Sequence, residues 1–210
     1  MSTRPAPAIT TTVHGDVGVL TYEPLDPAAI EASVRSTKAG AVVSFVGYTR
    51  DEFQGKRVTH LDYECYIPLA LKTLHQVLLE ARQLPSPAPT SSACFGHSHA
   101  PHSSSSSTID LISITAHHLL GPSPPLTPSI VISVASPHRK EAFVACEWVL
   151  EEVKKRVQVW KREWYADGTK FEGRDGEGVE GFGGRAREEK EGSSKWKENF
   201  PPSAREIQEE

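Results

Sequence analysis

Cysteine is scarce. The 210 residues hold three, Cys65, Cys94 and Cys146, too few and too scattered for a disulfide framework. Cys65 and Cys146 fall in apolar periodic segments, where reduced, buried thiols are usual. That usage argues for a cytosolic chain and against a cysteine nucleophile, since reactive thiolates need exposed, electropositive surroundings. Long apolar runs are missing too: no stretch approaches the ~18 residues of a membrane span, and the opening MSTRPAPAITTT lacks the hydrophobic core of a signal peptide. Neither charge dominates, because 23 Lys and Arg stand against 27 Asp and Glu for a formal −4. There is thus no global basic field for nucleic acid and no polybasic membrane anchor. The GxSxG elbow, the GxxxxGK[ST] phosphate loop and the HExxH zinc helix are absent, which removes the signatures of the common hydrolases, nucleotide enzymes and zinc proteases. Any anion site must be local.

What is present suffices for a core: 38% of the residues are hydrophobic, and the length favours one domain. Residues 1–12, rich in Thr, Pro and Ala, read as a disordered leader. Order is expected over 13–200, with low-complexity insertions at about 85–107 and 167–192, and 201–210 form a flexible tail. Within the domain a strand is expected at 17–22, followed by a helix over 28–36 opened by Asp26-Pro27. A strand at 40–47 leads into a polar loop over 48–56 that carries Arg50. Next come a strand with one irregularity at 58–66, an amphipathic helix at 68–84 and a strand at 109–116.

The stretch SIVISVASPHRKEAFVACEWVLEEVKKRVQVWKREW (129–164) organises the rest. Its β-branched opening predicts a buried strand, and Ser136-Pro137 supplies an N-cap and a first-turn proline, so a helix is expected from Pro137. Phe143, Cys146, Val149, Leu150, Val153 and Val157 recur on one helical face, which packs on a sheet. His138 and Arg139 lie in the first turn, where free N–H groups favour an anion and cations oppose the dipole unless they serve another purpose. If the helix persists through Val157, Lys154 and Lys161, seven residues apart, project from one side, two turns from each other. The competing reading is that such lysines only complement the helix dipole.

Two other clusters call for weighing. Cys94, His97, His99 and His102 offer four groups that zinc accepts, but their spacing matches no closed structural site and they lie in a Ser/Pro-rich insertion, so an incidental His-rich loop is the simpler reading. His117-His118 end a strand, where a satisfied half-buried histidine and a pocket-lining one are both open.

Taken together, GAVVSFVGYTRDEFQGK (40–56), VTHLDYECYIPLA (58–70), SPHRKEAF (136–143) and VWKREWY (159–165) resemble the large, catalytic subunit of molybdopterin synthase. The resemblance covers about 13–84, 109–166 and 193–200. It implies an α/β (α+β) fold of hammerhead type, a mixed or antiparallel sheet with packed helices. It also implies a sulfurtransferase of molybdenum cofactor biosynthesis, moving sulfur from the C-terminal thiocarboxylate of a small ubiquitin-like subunit to cyclic pyranopterin monophosphate, with no metal or cofactor of its own. The implied assembly is a homodimer core within a heterotetramer, able to share residues between its two sites. By the match, Lys154 approaches the small subunit's terminal glycine and Lys161 is the second catalytic lysine. Arg50, His138 and Arg139 hold phosphate and pterin, with Lys197 as a further basic pocket residue. Two departures stand out: the family's His-Arg before a mid-sheet glycine reads His118-Leu119-Leu120-Gly121 here, and its Gly-Asp/Glu loop end reads Leu126-Thr127-Pro128. A non-catalytic adaptor that grips a ubiquitin-like tail or a phosphorylated ligand is the alternative, and it has no need of Lys154 and Lys161 together.

Overall fold

The computed structural model describes residues 4–53, 55–87, 108–166, 168, 170–171 and 197–198. Two sheets and three helices make it up. The first sheet has the order β1-β2-β6-β8-β3, built from Ala8–Thr11 (β1), Val17–Thr21 (β2), Ala41–Tyr48 (β3), Ser113–Leu119 (β6) and Pro128–Ser136 (β8). The β2–β6 pair is parallel and its other pairs are antiparallel. The second sheet centres on Lys56–Cys65 (β5) and Val159–Tyr165 (β9), an antiparallel pair. Glu52–Phe53 (β4) and Gly121–Ser123 (β7) add to β5, while Lys170–Phe171 (β10) and Lys197–Glu198 (β11) add to β9.

The helices are Pro27–Ser33 (α1), Ile67–Ala81 (α2) and Arg139–Arg156 (α3). Helix α1 starts as its sequence predicts: the Asp26 carboxylate accepts from the Ala28 and Ala29 amides at 3.0 and 3.1 Å, and Pro27 follows. Helices α2 and α3 bury Leu74, Val77, Leu78, Ala142, Ala145, Val149 and Val153 in one cluster with Ile114, Ile132 and Val134 of the sheet. Ile30 of α1 joins Leu25, Leu119 and Val131 in a smaller cluster on the other side. Being covered on both faces, β8 is buried along almost its whole length, which is why its sequence is a continuous apolar run and not an alternation.

Several expectations change. Residues 1–12 are not all leader, since Ala8–Thr11 pairs with β2 and the Thr10 hydroxyl sits 2.7 Å from His75 Nδ1 on α2. Helix α3 begins two residues later than Pro137: the Ser136 hydroxyl accepts from the His138 amide at 3.1 Å, which closes a turn ahead of the helix and makes His138 the N-cap. The irregularity in β5 is a register shift between Val58 and His60. Residues 88–107, most of the first insertion, lie outside the described residues, as do 172–196 and the tail at 201–210. In the second insertion Lys170–Phe171 nonetheless forms a strand on β9. No helix among the described residues is long and apolar enough to cross a membrane.

Two close approaches lock the frame. A Cβ on Gly40 would stand 2.2 Å from the Pro137 carbonyl oxygen, while the Gly40 amide donates to the Ser136 carbonyl at 3.1 Å. Gly40→Ala is expected to lose about 1–3 kcal/mol, because backbone and not a flexible side chain must yield, and urea unfolding checks it. His117 supplies a pH test, since burial pulls its imidazole from an ordinary 6.5 down to about 4. Between those values the unfolded chain holds a proton that the folded chain does not, so stability falls as the pH drops through 6.5 and levels off below 4. Urea midpoints at stepped pH are expected to show that decline in the native chain and a shallower one in His117→Gln.

Candidate active site

The site lies where the end of α3 meets the beginnings of β8 and β9. Tyr63, His118, Ser129, Ile130, Val153, Lys154 and Val159 line a small cavity there. Tyr63 comes from β5, His118 from β6, Ser129 and Ile130 from β8, Val153 and Lys154 from the last turn of α3, and Val159 opens β9. Lys154 does not project from one long helix together with Lys161. The helix stops because Val157 turns to an extended conformation (φ −76°, ψ 119°), and β9 begins at Val159. Lys161 is thus a strand residue. It stands directly opposite Tyr63 in the β5–β9 ladder, so both lysines flank the same tyrosine, one from a helix end and one from a strand.

The two cations are treated differently. Lys161 is 7% exposed, and its Nζ lies 3.2 Å from Glu163 Oε1. The Tyr165 hydroxyl donates to Glu163 Oε2 at 2.6 Å, which completes the carboxylate's bonding. Lys161, Glu163 and Tyr165 share one face because β9 alternates: residues 159, 161, 163 and 165 are buried and 160, 162 and 164 half-buried. The Lys154 ammonium has no hydrogen bond or ion pair among the described residues, although the side chains of its helix neighbours do. Lys155 lies 3.8 Å from Glu152, and Arg156 bonds Glu80 and, at 3.1 Å, Glu152. Dipole complementation accounts for Lys155 and Arg156; it leaves Lys154 as a half-buried ammonium at a cavity, a ready place for an anion.

The remaining sequence-predicted residues divide. Arg50 follows β3 at the end where Tyr48 pairs with Pro128, the end of the sheet that also holds Ser129 and Lys154; it is exposed, with its guanidinium 5.6 Å from the Phe53 ring centre. Lys197 stands opposite Lys161 on β11. His138 and Arg139 are exposed at the far end of α3, about 22 Å from Lys154 at 1.5 Å per residue. One chain does not bring them to the cavity. The proposed zinc ligands Cys94, His97, His99 and His102 lie outside the described residues.

Three residues were missed as site residues or left undecided. Glu163 and Tyr63 were overlooked although period-2 alternation in VWKREWY marks Glu163 as sharing a face with Lys161. His118, one of the pair left open, is the one that lines the cavity. The two described thiols are held protonated: burial pushes Cys65 up to about 11, and burial pushes Cys146 likewise to about 11 against a lesser, opposing backbone hydrogen bond at Phe45.

Mixed α/β architecture places an apolar-walled cavity beside two lysines with contrasting neutralisation, with no exposed thiol among the described residues. The profile of the MoaE protein family matches residues 20–156. The molybdopterin synthase catalytic subunit of Culex quinquefasciatus is 35% identical over 180 residues, 86% of this chain and 86% of that one. The crystal structure of molybdopterin synthase from Staphylococcus aureus superposes with a TM-score of 0.57 at 30% identity, covering 74% of this chain and 96% of that one. A protein–protein complex of subunits 1 and 2 of molybdopterin-converting factor from Helicobacter pylori shares the fold, with a TM-score of 0.52 at 16% identity over 74% of this chain and 89% of that one. The chain belongs to the MoaE family.

Glu163→Ala removes the carboxylate 3.2 Å from the buried Lys161 ammonium and is expected to cost about 3–5 kcal/mol. Replacing both partners, Lys161→Met with Glu163→Leu, recovers most of that loss, as chemical denaturation of the single and double variants would show.

Proposed function

We propose that this chain is the catalytic subunit of a molybdopterin synthase, a sulfurtransferase of molybdenum cofactor biosynthesis. It takes sulfur from the C-terminal thiocarboxylate of a small ubiquitin-like subunit, delivers it to cyclic pyranopterin monophosphate to build the dithiolene, and works in the cytosol with no metal or cofactor of its own. The observation that carries this reading is Lys154, an ammonium without a counter-ion among the described residues at the wall of an apolar-sided cavity. A thiocarboxylate supplies the missing charge. The protonated thiols of Cys65 and Cys146 agree with sulfur that arrives from a partner, and the Helicobacter pylori complex supports a small-subunit partner for this fold.

Each sulfur transfer balances in two steps. The thiocarboxylate sulfur forms a bond to a substrate carbon as the carbon–oxygen bond there breaks, the oxygen leaving as water at one carbon and staying with the phosphate, whose ring opens, at the other; the small subunit's acyl group then sits on sulfur as a thioester. Water cleaves the thioester, returning a carboxylate to the small subunit and leaving sulfur on the substrate. Lys154 faces the acyl carbon, where its charge stabilises the oxyanion or its neutral amine attacks. Lys161, held by Glu163, sets the position of the substrate across Tyr63.

Arg50 approaches from the same end of the sheet and pairs with phosphate through its planar guanidinium. His138 and Arg139 serve the same substrate only if a second copy presents them, because about 22 Å of helix separates them from Lys154 within one chain. In this reading the assembly is a two-fold homodimer with shared sites, carrying one small subunit at each end. Lys197, opposite Lys161 in the β11–β9 register, is the further basic residue of this reading.

With cyclic pyranopterin monophosphate and a thiocarboxylated small subunit, Lys154→Ala is expected to lose at least about two orders of magnitude in product formation, the scale of one oxyanion stabiliser. Activity untouched by the substitution would remove Lys154 from the centre, and tight partner binding with no product from the native chain would favour the adaptor. Site sharing has its own test. Mixing Lys154→Ala chains with His138→Ala/Arg139→Ala chains is expected to restore about a quarter of the native sites, because each mixed two-fold dimer keeps one intact pair. Recovery of none means that each site is completed within one chain.

A further inference from the structure

Arg50 is an exposed cation on a clamped piece of chain. Its guanidinium has no hydrogen bond or ion pair among the described residues, although the carboxylates of Asp51 and Glu52 follow it directly. Its neighbours on both sides are tied down. The Asp51 carbonyl accepts from the Val58 amide of β5 at 2.8 Å. Thr49, 2% exposed, bonds Thr127 through its amide and Leu126 through its carbonyl, and its hydroxyl lies 2.8 Å from that of Ser123, which is fully buried. This last tie differs from the backbone pair. The backbone bonds end in the loop at 126–127, whereas Ser123 belongs to β7, whose Gly121 stands opposite Tyr63 of the cavity wall. The Thr49–Ser123 pair is therefore a side-chain link between the exit of β3 and the ladder that carries Tyr63 and, across from it, Lys161. Two oxygens hydrogen-bonded at 2.8 Å stand closer than the ~3.5–4.0 Å of an apolar contact, and the bond is directional, so it fixes how far the exit of β3 lies from β7. Burial of both hydroxyls leaves neither of them water as an alternative partner.

We propose that Thr49 and Ser123 are positioning residues for Arg50: their buried hydroxyl pair sets where the guanidinium meets the phosphate of the substrate. This rests on the sulfurtransferase reading and deepens it, by naming the device that aims its phosphate-binding arginine. A guanidinium that grips phosphate presents two N–H groups to two oxygens at once, a geometry that tolerates little displacement. Thr49 is the residue next to Arg50, so a shift at its hydroxyl is passed directly to the arm. Thr49→Val puts a methyl 2.8 Å from Ser123 Oγ, closer than carbon and oxygen approach even in a weak hydrogen bond. Either the exit of β3 moves away from β7 or the side chain turns, and in both cases the tie is lost. Thr49→Ser keeps the hydroxyl and with it the tie.

Calorimetric binding of cyclic pyranopterin monophosphate to the full chain, without the small subunit, reads Arg50 apart from the chemistry. Thr49→Val is expected to weaken Kd about tenfold, part of what charge-assisted bonds to phosphate contribute. Thr49→Ser is expected to bind within about twofold of the native chain. In an Arg50→Ala background, Thr49→Val is expected to change Kd by less than about twofold, because a residue that acts through Arg50 then has nothing left to position. In turnover with thiocarboxylated small subunit, Thr49→Val raises KM and leaves kcat near native, the mark of lost ground-state binding. Equal losses in the two backgrounds, native affinity in Thr49→Val, or Thr49→Ser as weak as Thr49→Val each overturn the proposal. Should Thr49→Val not fold, Ser123→Ala removes the same bond from the β7 side, with the same loss expected and the same coupling to Arg50→Ala. A native chain that neither binds cyclic pyranopterin monophosphate nor turns it over means that the sulfurtransferase reading has failed and the proposal with it. A native chain that binds and turns over, with Thr49 uncoupled from Arg50, overturns the positioning role alone.

Discussion

Helix α3 runs back along the sheet from the end of β8, because its apolar stripe must be buried. Ala142, Ala145, Val149 and Val153 meet Ile132 and Val134 in the main core, and each further turn of helix carries the chain toward the beginning of β8. Eighteen residues cover that distance, so the last turn arrives beside Ser129 and Ile130 with Lys154 at the cavity. The same geometry leaves His138 and Arg139 at the opposite end. A single packing requirement therefore sets the location of the cavity and keeps the two ends of α3 apart. The Gly40–Pro137 approach belongs to this frame, since it fixes the bend between β8 and α3 against the start of β3.

Around the cavity, charge is rationed residue by residue. Lys155 and Arg156 are answered by Glu152 and Glu80, and Lys161 by Glu163, itself held by Tyr165. Lys154 alone of these four has no answering group among the described residues. A buried pair such as Lys161–Glu163 contributes position more than stability, because desolvation consumes most of the attraction. It holds a cation at a fixed point on a strand, where a long exposed lysine would wander. The half-buried ammonium keeps its capacity to bind, and the fully buried one supplies rigidity.

Much of the fold was legible where one rule governed. Asp26-Pro27 marked α1, the β-branched run marked β8, and the irregular alternation at 58–66 marked a strand with a register shift. Legibility failed where two rules competed. Ser136-Pro137 has the form of a helix start, yet the serine hydroxyl closes a preceding turn and the helix opens at Arg139. Past Lys154 the apolar spacing continues to Val157 and by itself predicts more helix, and the alternation of VWKREWY shows only when that segment is read by itself. Residues 8–11 have too little apolar content to signal a strand; they gain one from the open edge of β2 and a contact to α2. Lys154, Lys161 and Arg50 were visible as cations and belong to the cavity's end of the molecule. Tyr63, Glu163 and His118 were not visible as a group, because their association depends on which strand lies beside which.

The loop behind the cavity carries one more consequence. Leu126 has φ of +65° and is 85% exposed, at a position where the related catalytic subunits were expected to place glycine. Its amide donates to the Thr49 carbonyl at 2.9 Å, and the Thr49 amide donates to the Thr127 carbonyl at 3.1 Å, so the strained residue is part of a two-bond clasp between the ends of β3 and β8. A left-handed leucine costs roughly 1–2 kcal/mol relative to the right-handed conformation, and its exposed side chain contributes little packing in return. The clasp is thus spring-loaded: its opening is easier than that of the adjoining ladder, so the Thr49 and Leu126 amides are expected to exchange with solvent faster than the hydrogen-bonded amides of the β3–β8 ladder. The ends of β3 and β8 can then part on a timescale shorter than unfolding of the sheet that joins them.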